Sequence, residues 1–282
     1  MATLKVGKSL KDTDILWRYL SLDKFIDLVE SKTIYFTPLA WYSKTDPFEG
    51  YMPQAGMEAM ASISRKYQDQ HIDALEKLAQ TLPEHAAPQI RKLRENAESH
   101  VPTMKALFKN ISACLMVNCW YRSTHESEGM WGLYSKGGVA IRTSVGALKS
   151  AISDSEQSPV IHVGAVKYID FSVASLKPSD CVTEDGHLMG MIKRVAYGHE
   201  QEVRMYITRD REKGSLEVQE PAPTRVSVNV DKLLEAVVIS PFAGESINRS
   251  VRAVCKWSGV NENIVSKSKL LDNCEYLLDV YK

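Results

Sequence analysis

The sequence predicts one α+β domain over residues 1–282, built on a mixed, mainly antiparallel sheet with a helical insertion at 54–110. Two observations carry this. Short runs of strand character are interleaved with short helical periods from about residue 15 to residue 270, a mixture that argues for α+β rather than an all-α or all-β chain. Residues 54–110 break that pattern. They are rich in Ala, Glu, Lys, Gln and Leu and almost free of glycine, with breaks at Pro83, Pro88 and Pro102.

Ile15 to Leu20 reads as a strand, and Ser21 as the N-cap of a helix over 22–31. In that helix Leu22, Phe25, Ile26 and Val29 recur at helical spacing, and Asp23 falls in the first turn, where the dipole favours a carboxylate. Ile34 to Phe36 is a second strand that Pro38 helps to end. Asp46-Pro47 and Gly50 supply turn chemistry to the loop after Trp41. Phe48 is expected to pin this loop to the core, with Glu49 poised beside it.

Within the insertion, Ile72, Leu75, Leu78, Ala79 and Leu82 form one helical stripe, and Ile90, Leu93 and Ala97 another. His71, His85 and His100 lack ligand spacing and are expected at the surface. Ala113 to Trp120 reads as a buried strand, in which Cys114 and Cys119 act as small core residues. A polar loop over 121–128, a helical turn over 130–134, a strand over 137–144 and a helix over 145–152 follow. Strand is then expected over 160–170, loop over 171–190, helix-like structure over 188–197 and strand over 200–207. A hairpin turn around Gly214, a strand over 224–230 and a short helix capped by Asp231 come next. A strand over 237–241, a helix over 246–259 ended by glycine and a strand over 264–270 complete the chain.

Composition excludes several function classes. Lys plus Arg and Asp plus Glu number 35 each, so no net field recruits nucleic acid or an anionic membrane. No apolar run reaches spanning length, and the first residues lack the apolar core of a signal peptide. The expectation is a cytoplasmic protein with no membrane role. The five cysteines, at 114, 119, 181, 255 and 274, show neither zinc-site spacing nor a disulfide framework, so no metal is expected.

The chemistry gathers around Tyr197-Gly-His-Glu-Gln-Glu-Val-Arg-Met-Tyr-Ile207. As a strand this stretch puts Glu200, Glu202, Arg204 and Tyr206 on one face and Val203, Met205 and Ile207 on the other. A solvated strand with a cross-strand ion pair would show the same pattern. Gly137-Gly138 is not followed by a phosphate-loop lysine, and no GxGxxG or GxSxG occurs. Ser123, His125 and Glu126 lie too close in sequence to form a catalytic triad. His199 is a candidate base, although a lone strand histidine is more often structural. Three segments carry the remaining candidates: Arg18-Tyr19, the Trp120–Tyr134 region with Trp131 and Tyr134, and Glu200 with Glu202. Such a set can hold a cofactor, stack a planar ring and steady the oxocarbenium-like ribose left when nicotinamide departs from NAD.

Leu16-Trp-Arg-Tyr, Ile34-Tyr-Phe, Asp46-Pro-Phe-Glu-Gly, Met130-Trp-Gly-Leu-Tyr, Gly138-Val-Ala-Ile and Glu200-Gln-Glu-Val-Arg together resemble the bacterial domain of unknown function 2971. More weakly, the opening strand–helix–strand unit is similar to the start of ADP-ribosyltransferase-like domains. That second resemblance implies a split sheet and NAD as substrate. It implies that Arg18 or Tyr19 holds the NAD ribose, that Tyr134, or Trp131, stacks on nicotinamide, and that Glu202 is the catalytic carboxylate. Glu200 would activate an acceptor, protein or nucleic acid. Two features depart from the family pattern: the first motif is Arg-Tyr rather than histidine, and only Ser123-Thr124 and Thr143-Ser144 approximate the middle Ser-Thr-Ser.

The leading expectation is an ADP-ribosyltransferase-like or NAD-consuming enzyme, of a kind that suits a bacterial toxin or anti-phage effector. Two alternatives stay open. One is a nuclease or nucleotide-processing enzyme using Glu49, Glu200, Glu202 and Arg204 with a divalent metal. The other is a non-catalytic interaction module in which these charges, including an Arg204 pair with Glu202 or Asp46, hold the loops together. The 54–110 insertion would cap the site, bind a regulatory partner or join two copies as a homo-oligomer.

Overall fold

A computed structural model describes residues 4–99, 113–152, 159–208, 220 and 222–281. The strands are β1 (Leu4–Val6), β2 (Ile15–Leu20), β3 (Thr33–Pro38), β4 (Leu115–Arg122), β5 (Val139–Ser144) and β6 (Ile161–Ala165). They continue with β7 (Lys167–Ile169), β8 (Ile192–Arg194), β9 (Glu202–Thr208), β10 (Thr224–Ser227), β11 (Ala236–Ile239) and β12 (Val265–Lys267). The helices are α1 (Leu22–Ser31), α2 (Gln54–Ala79), α3 (Ala87–Glu98), α4 (Glu128–Tyr134), α5 (Val145–Ile152), α6 (Val230–Leu233) and α7 (Glu245–Ser258).

Ten strands form one sheet with the path β1-β6-β9-β4-β2-β5-β11-β12, and β3 branches from β4 with β10 beside it. The β1–β6 and β11–β12 pairs are parallel and the rest antiparallel, so the fold is α+β on a mixed, mainly antiparallel sheet. The branch has a simple cause. β9 occupies one edge of β4 from Leu115 to Tyr121. The other edge is shared: β2 pairs at Tyr121 and Arg122, and β3 at Met116 and Val117. Asn118, Cys119 and Trp120 fall in the gap, where the Asn118 Nδ2 donates to the Tyr35 carbonyl at 2.9 Å.

Side chains alternate across the sheet, and the register defines its two faces. Leu16, Met116, Trp120, Ile141, Val203 and Met205 point to the face covered by α1, α5, α6 and α7, whose Phe25, Leu148, Leu233 and Val251 complete the main core. The opposite face carries Trp17, Tyr19, Cys119, Glu202 and Arg204 and is roofed by α4 and by the loops around β7 and β8.

Several expectations hold at close register, including α1, α4, α5 and the Gly259 cap, which sits in the left-handed region at φ 78°. Others are corrected. The 188–197 stretch is not helix-like: Gly190 adopts φ 79°, and the chain then forms β8 and a 3-10 turn over Val195–Glu200. Strand over 160–170 is interrupted at Val166, whose amide donates to the Glu202 carbonyl, so β6 and β7 belong to different sheets. The cap of α6 is Asn229, whose side chain accepts from Lys232 N at 3.0 Å, while Asp231 lies in the first turn. Phe48 is not a core anchor. It is 47% exposed, stacked edge-on to Phe171 and capped by the Arg194 guanidinium at 4.7 Å. Cys114 and Cys119 are only partly buried, and the buried cysteines are Cys181 and Cys255.

In the insertion, α2 and α3 form an antiparallel hairpin tied by Gln68 to the Glu98 carbonyl and by Arg94 to Glu76. The base of the hairpin is seated through Met57 and Met60 on Met52, Cys181 and Ile192. The expected stripes do not form a core among the described residues: Leu78, Leu82 and Leu93 are exposed, and α3 buries no side chain. The distal part of 54–110, with His100, and the hairpin around Gly214 lie outside the described residues.

Candidate functional site

The start of β9 places Glu202 and Arg204 side by side on one sheet face. Arg204 Nε donates to Glu202 Oε1 at 2.7 Å and Nη2 to Oε2 at 3.1 Å, a bidentate pair. Arg204 Nη1 donates to Glu49 Oε1 at 2.8 Å and also to the Gly190 carbonyl. From β8, Lys193 Nζ reaches Glu200 Oε2 at 2.5 Å, Glu202 Oε2 at 3.1 Å and Glu49 Oε2 at 3.8 Å. The Tyr134 hydroxyl donates to Glu200 Oε1 at 2.7 Å. Three carboxylates against two cations leave one formal negative charge in a site where Glu202 is 5% and Arg204 1% exposed.

Local structure explains the convergence. Gln201 has φ 38°, which breaks the strand alternation that would put Glu200 and Glu202 on one strand face. Glu200 instead ends the 3-10 turn and approaches Lys193 from the side. The parallel β7–β8 pair sets Lys193 opposite Tyr168, and the Tyr168 hydroxyl accepts from Glu202 N at 2.8 Å. Burial opposes ionisation of Glu202, but Arg204 and then Lys193 outweigh it and hold its pKa down to about 2. Burial likewise opposes the Lys193 charge, yet Glu202, Glu49 and Glu200 raise its pKa above the ordinary lysine value. Burial first, and then the Glu202 carboxylate, push the Cys119 thiol pKa up.

Of the sequence candidates, Tyr19, Trp131, Tyr134, Glu200 and Glu202 share this side of the sheet. They do not form one open pocket. Tyr19 and Trp131 pack edge-on at 4.9 Å, and Trp131 is 0% exposed, so no planar ring can stack on it as it stands. Tyr134 is 49% exposed but holds Glu200. Arg18 lies on the helix-covered face, because β2 alternates Leu16, Arg18 and Leu20 against Trp17 and Tyr19. The joint Arg18–Glu202 site is therefore not assembled on one face. His199 is exposed, Ser123 Oγ accepts from the His125 amide, and Glu126 accepts from Trp131 Nε1 at 2.9 Å.

Sequence reasoning missed Lys193, the centre of the cluster. Its signal was hidden because the surrounding stretch was read as helix-like, whereas a strand over 192–194 would have turned attention to it. Asp46 is paired with Arg194 at 2.7 Å, not with Arg204. Glu49, Glu200 and Glu202 converge on chain cations, and among the described residues no group of three His, Cys, Asp or Glu is arranged to hold a metal ion. No helix among those residues is long and apolar enough to cross a membrane.

No family model matches the chain, and no curated protein or solved structure matches it either. The resemblances to domain of unknown function 2971 and to ADP-ribosyltransferase-like domains rest on the sequence motifs alone.

Proposed function

We propose that the cluster around Glu202 is an architectural lock and that the protein works as a non-catalytic interaction module. The observation that carries this is the saturation of Glu202: Arg204 takes both carboxylate oxygens, and Lys193 adds a third bond to Oε2. A carboxylate that must steady a developing cation or orient a ribose needs a free face, and this one has its lone pairs committed to its own chain. The lock joins the 46–50 loop, β8, the 195–200 turn, β9 and α4. The helical hairpin at 54–98 is the segment we assign to a regulatory partner or a second copy.

A second reading, ADP-ribosyl transfer from NAD, is supported by the split beside β4, by the half-exposed Tyr134 on Glu200, and by the sequence motifs. It requires Glu202 to exchange Arg204 for substrate, in the manner of a bacterial effector switched on by its partner.

The deciding experiment incubates purified protein with labelled NAD and cell extract, following nicotinamide release and label transfer. Glu202→Gln is run beside it, with both melting temperatures measured. The module reading expects no turnover by either protein and a lower melting temperature for the variant. Turnover by the native chain that a folded Glu202→Gln variant lacks would overturn it and establish the NAD reading.

A further inference from the structure

On the opposite side of the sheet, the gap between β2 and β3 opens into a cavity of about 340 Å³ beneath α1. Arg18 projects into it from β2, and Trp120 lines it from β4. Arg18 makes no hydrogen bond or ion pair among the described residues. Its guanidinium lies against the Trp120 ring, whose centroid is 5.8 Å from Cζ. By contrast, Arg225 at the same cavity already holds Asp27 at 2.9 Å. Trp120 is 2% exposed, and its Nε1 finds no acceptor among the described residues. The half-buried Arg18 guanidinium thus stands at the cavity without an anionic partner, beside the buried Trp120 ring.

The remaining walls limit the ligand. Leu20, Leu28, Ile141 and Leu233 are hydrocarbon, which favours an apolar body. The volume lies at the small end of ligand sites, about 300–1,000 Å³. A guanidinium presents a planar fork that matches a carboxylate with two parallel bonds.

We propose that this cavity binds a small organic carboxylate carried on an apolar body, its head on Arg18 beside the Trp120 ring. Burial lowers the Arg18 pKa, with Cys119 and Tyr42 opposing it, as expected of a desolvated cation awaiting an anion. The cavity opens on the helix-covered face at the gap in the sheet, with Cys119 lying between Arg18 and the Glu202 lock. An alkyl acid and an aryl acid offer the same head, and the test separates them.

Octanoate and 1-naphthoate are titrated into the full chain, each beside its uncharged amide. The readouts are the indole N–H resonance of Trp120, assigned with Trp120→Phe, and the melting temperature. At least one acid is expected to move that resonance and to bind at least ten-fold more tightly than its amide, and the stronger of the two identifies the body. Arg18→Gln is expected to weaken that acid at least ten-fold. The acid–amide comparison is made on the native protein, so it stands even if the variant fails to fold. Equal binding of acid and amide, or no binding of either acid, would overturn the proposal. So would NAD or AMP moving the resonance where both acids fail, which would assign the cavity to a nucleotide.

Discussion

Glu202 and Lys193 illustrate how a buried charge is tolerated. Each would suffer several kcal/mol of desolvation alone, and each is repaired by two or more close opposite charges. Removing one partner strands the others, which is why the lock should respond steeply and unevenly to substitution. Lys193→Met leaves Glu49 and Glu202 with Arg204 alone and Glu200 with only the Tyr134 hydroxyl, and it is expected to lower stability by about 3–5 kcal/mol. Tyr134→Phe removes one hydrogen bond at the half-exposed rim and is expected to lower it by about 1 kcal/mol. Urea unfolding of the two variants beside the native chain checks the contrast, and equal losses would show that Lys193 is not the hub.

At the scale of elements, the lock depends on where β8 and β9 begin. Gly190 sits at φ 79°, with Leu115 Cδ1 2.9 Å and Leu39 Cδ2 3.1 Å from the place a Cβ would occupy. Its carbonyl accepts from Arg204. Gly190→Ala therefore combines backbone strain with a clash and disturbs an Arg204 bond, and a loss of about 2–4 kcal/mol is expected. Thermal melting measures it. Gly186→Ala is the matched control, with φ 80° but nothing within 4 Å of the added methyl, and it should lose only the strain contribution of about 1 kcal/mol. Equal effects at the two glycines would mean that crowding at Gly190 is unimportant. The helices obey more local rules. α1 and α5 begin and end where their apolar period begins and ends, whereas Leu188, Met191, Ile192 and Val195 fall at helical spacing although the chain there is strand and turn.

For the molecule as a whole, the lock sets a pH window. The folded pKa of Glu202, about 2, lies below the ordinary 4.5. Its stabilisation is therefore fully present above pH 4.5 and is lost as pH falls toward 2, on the order of 3 kcal/mol in all. The folded pKa of Lys193 is raised above 10.5, so its share is present below pH 10.5 and lost as pH rises through the raised value. Chemical unfolding from pH 2 to 12 is expected to show a broad plateau between those limits. In Lys193→Met the alkaline loss due to this lysine should disappear. A native profile that declines between pH 5 and 9 would contradict this account of the network.

Local chemistry by itself determined the α+β class, the strand–helix–strand opening, the β9 face carrying Glu202 and Arg204, and the glycine end of α7. Each of these depends on neighbours within one or two turns of chain, through periodicity, capping or backbone freedom. Only the tertiary structure decided the partners. Glu49 arrives from 155 residues away, Arg18 is carried to the far side of the sheet by strand alternation, and Trp131 is sealed by Tyr19. The sharing of one β4 edge by β2 and β3 opens the Arg18 cavity. Pairing and burial of this kind are properties of long-range register, and a one-residue change in register would reverse every face.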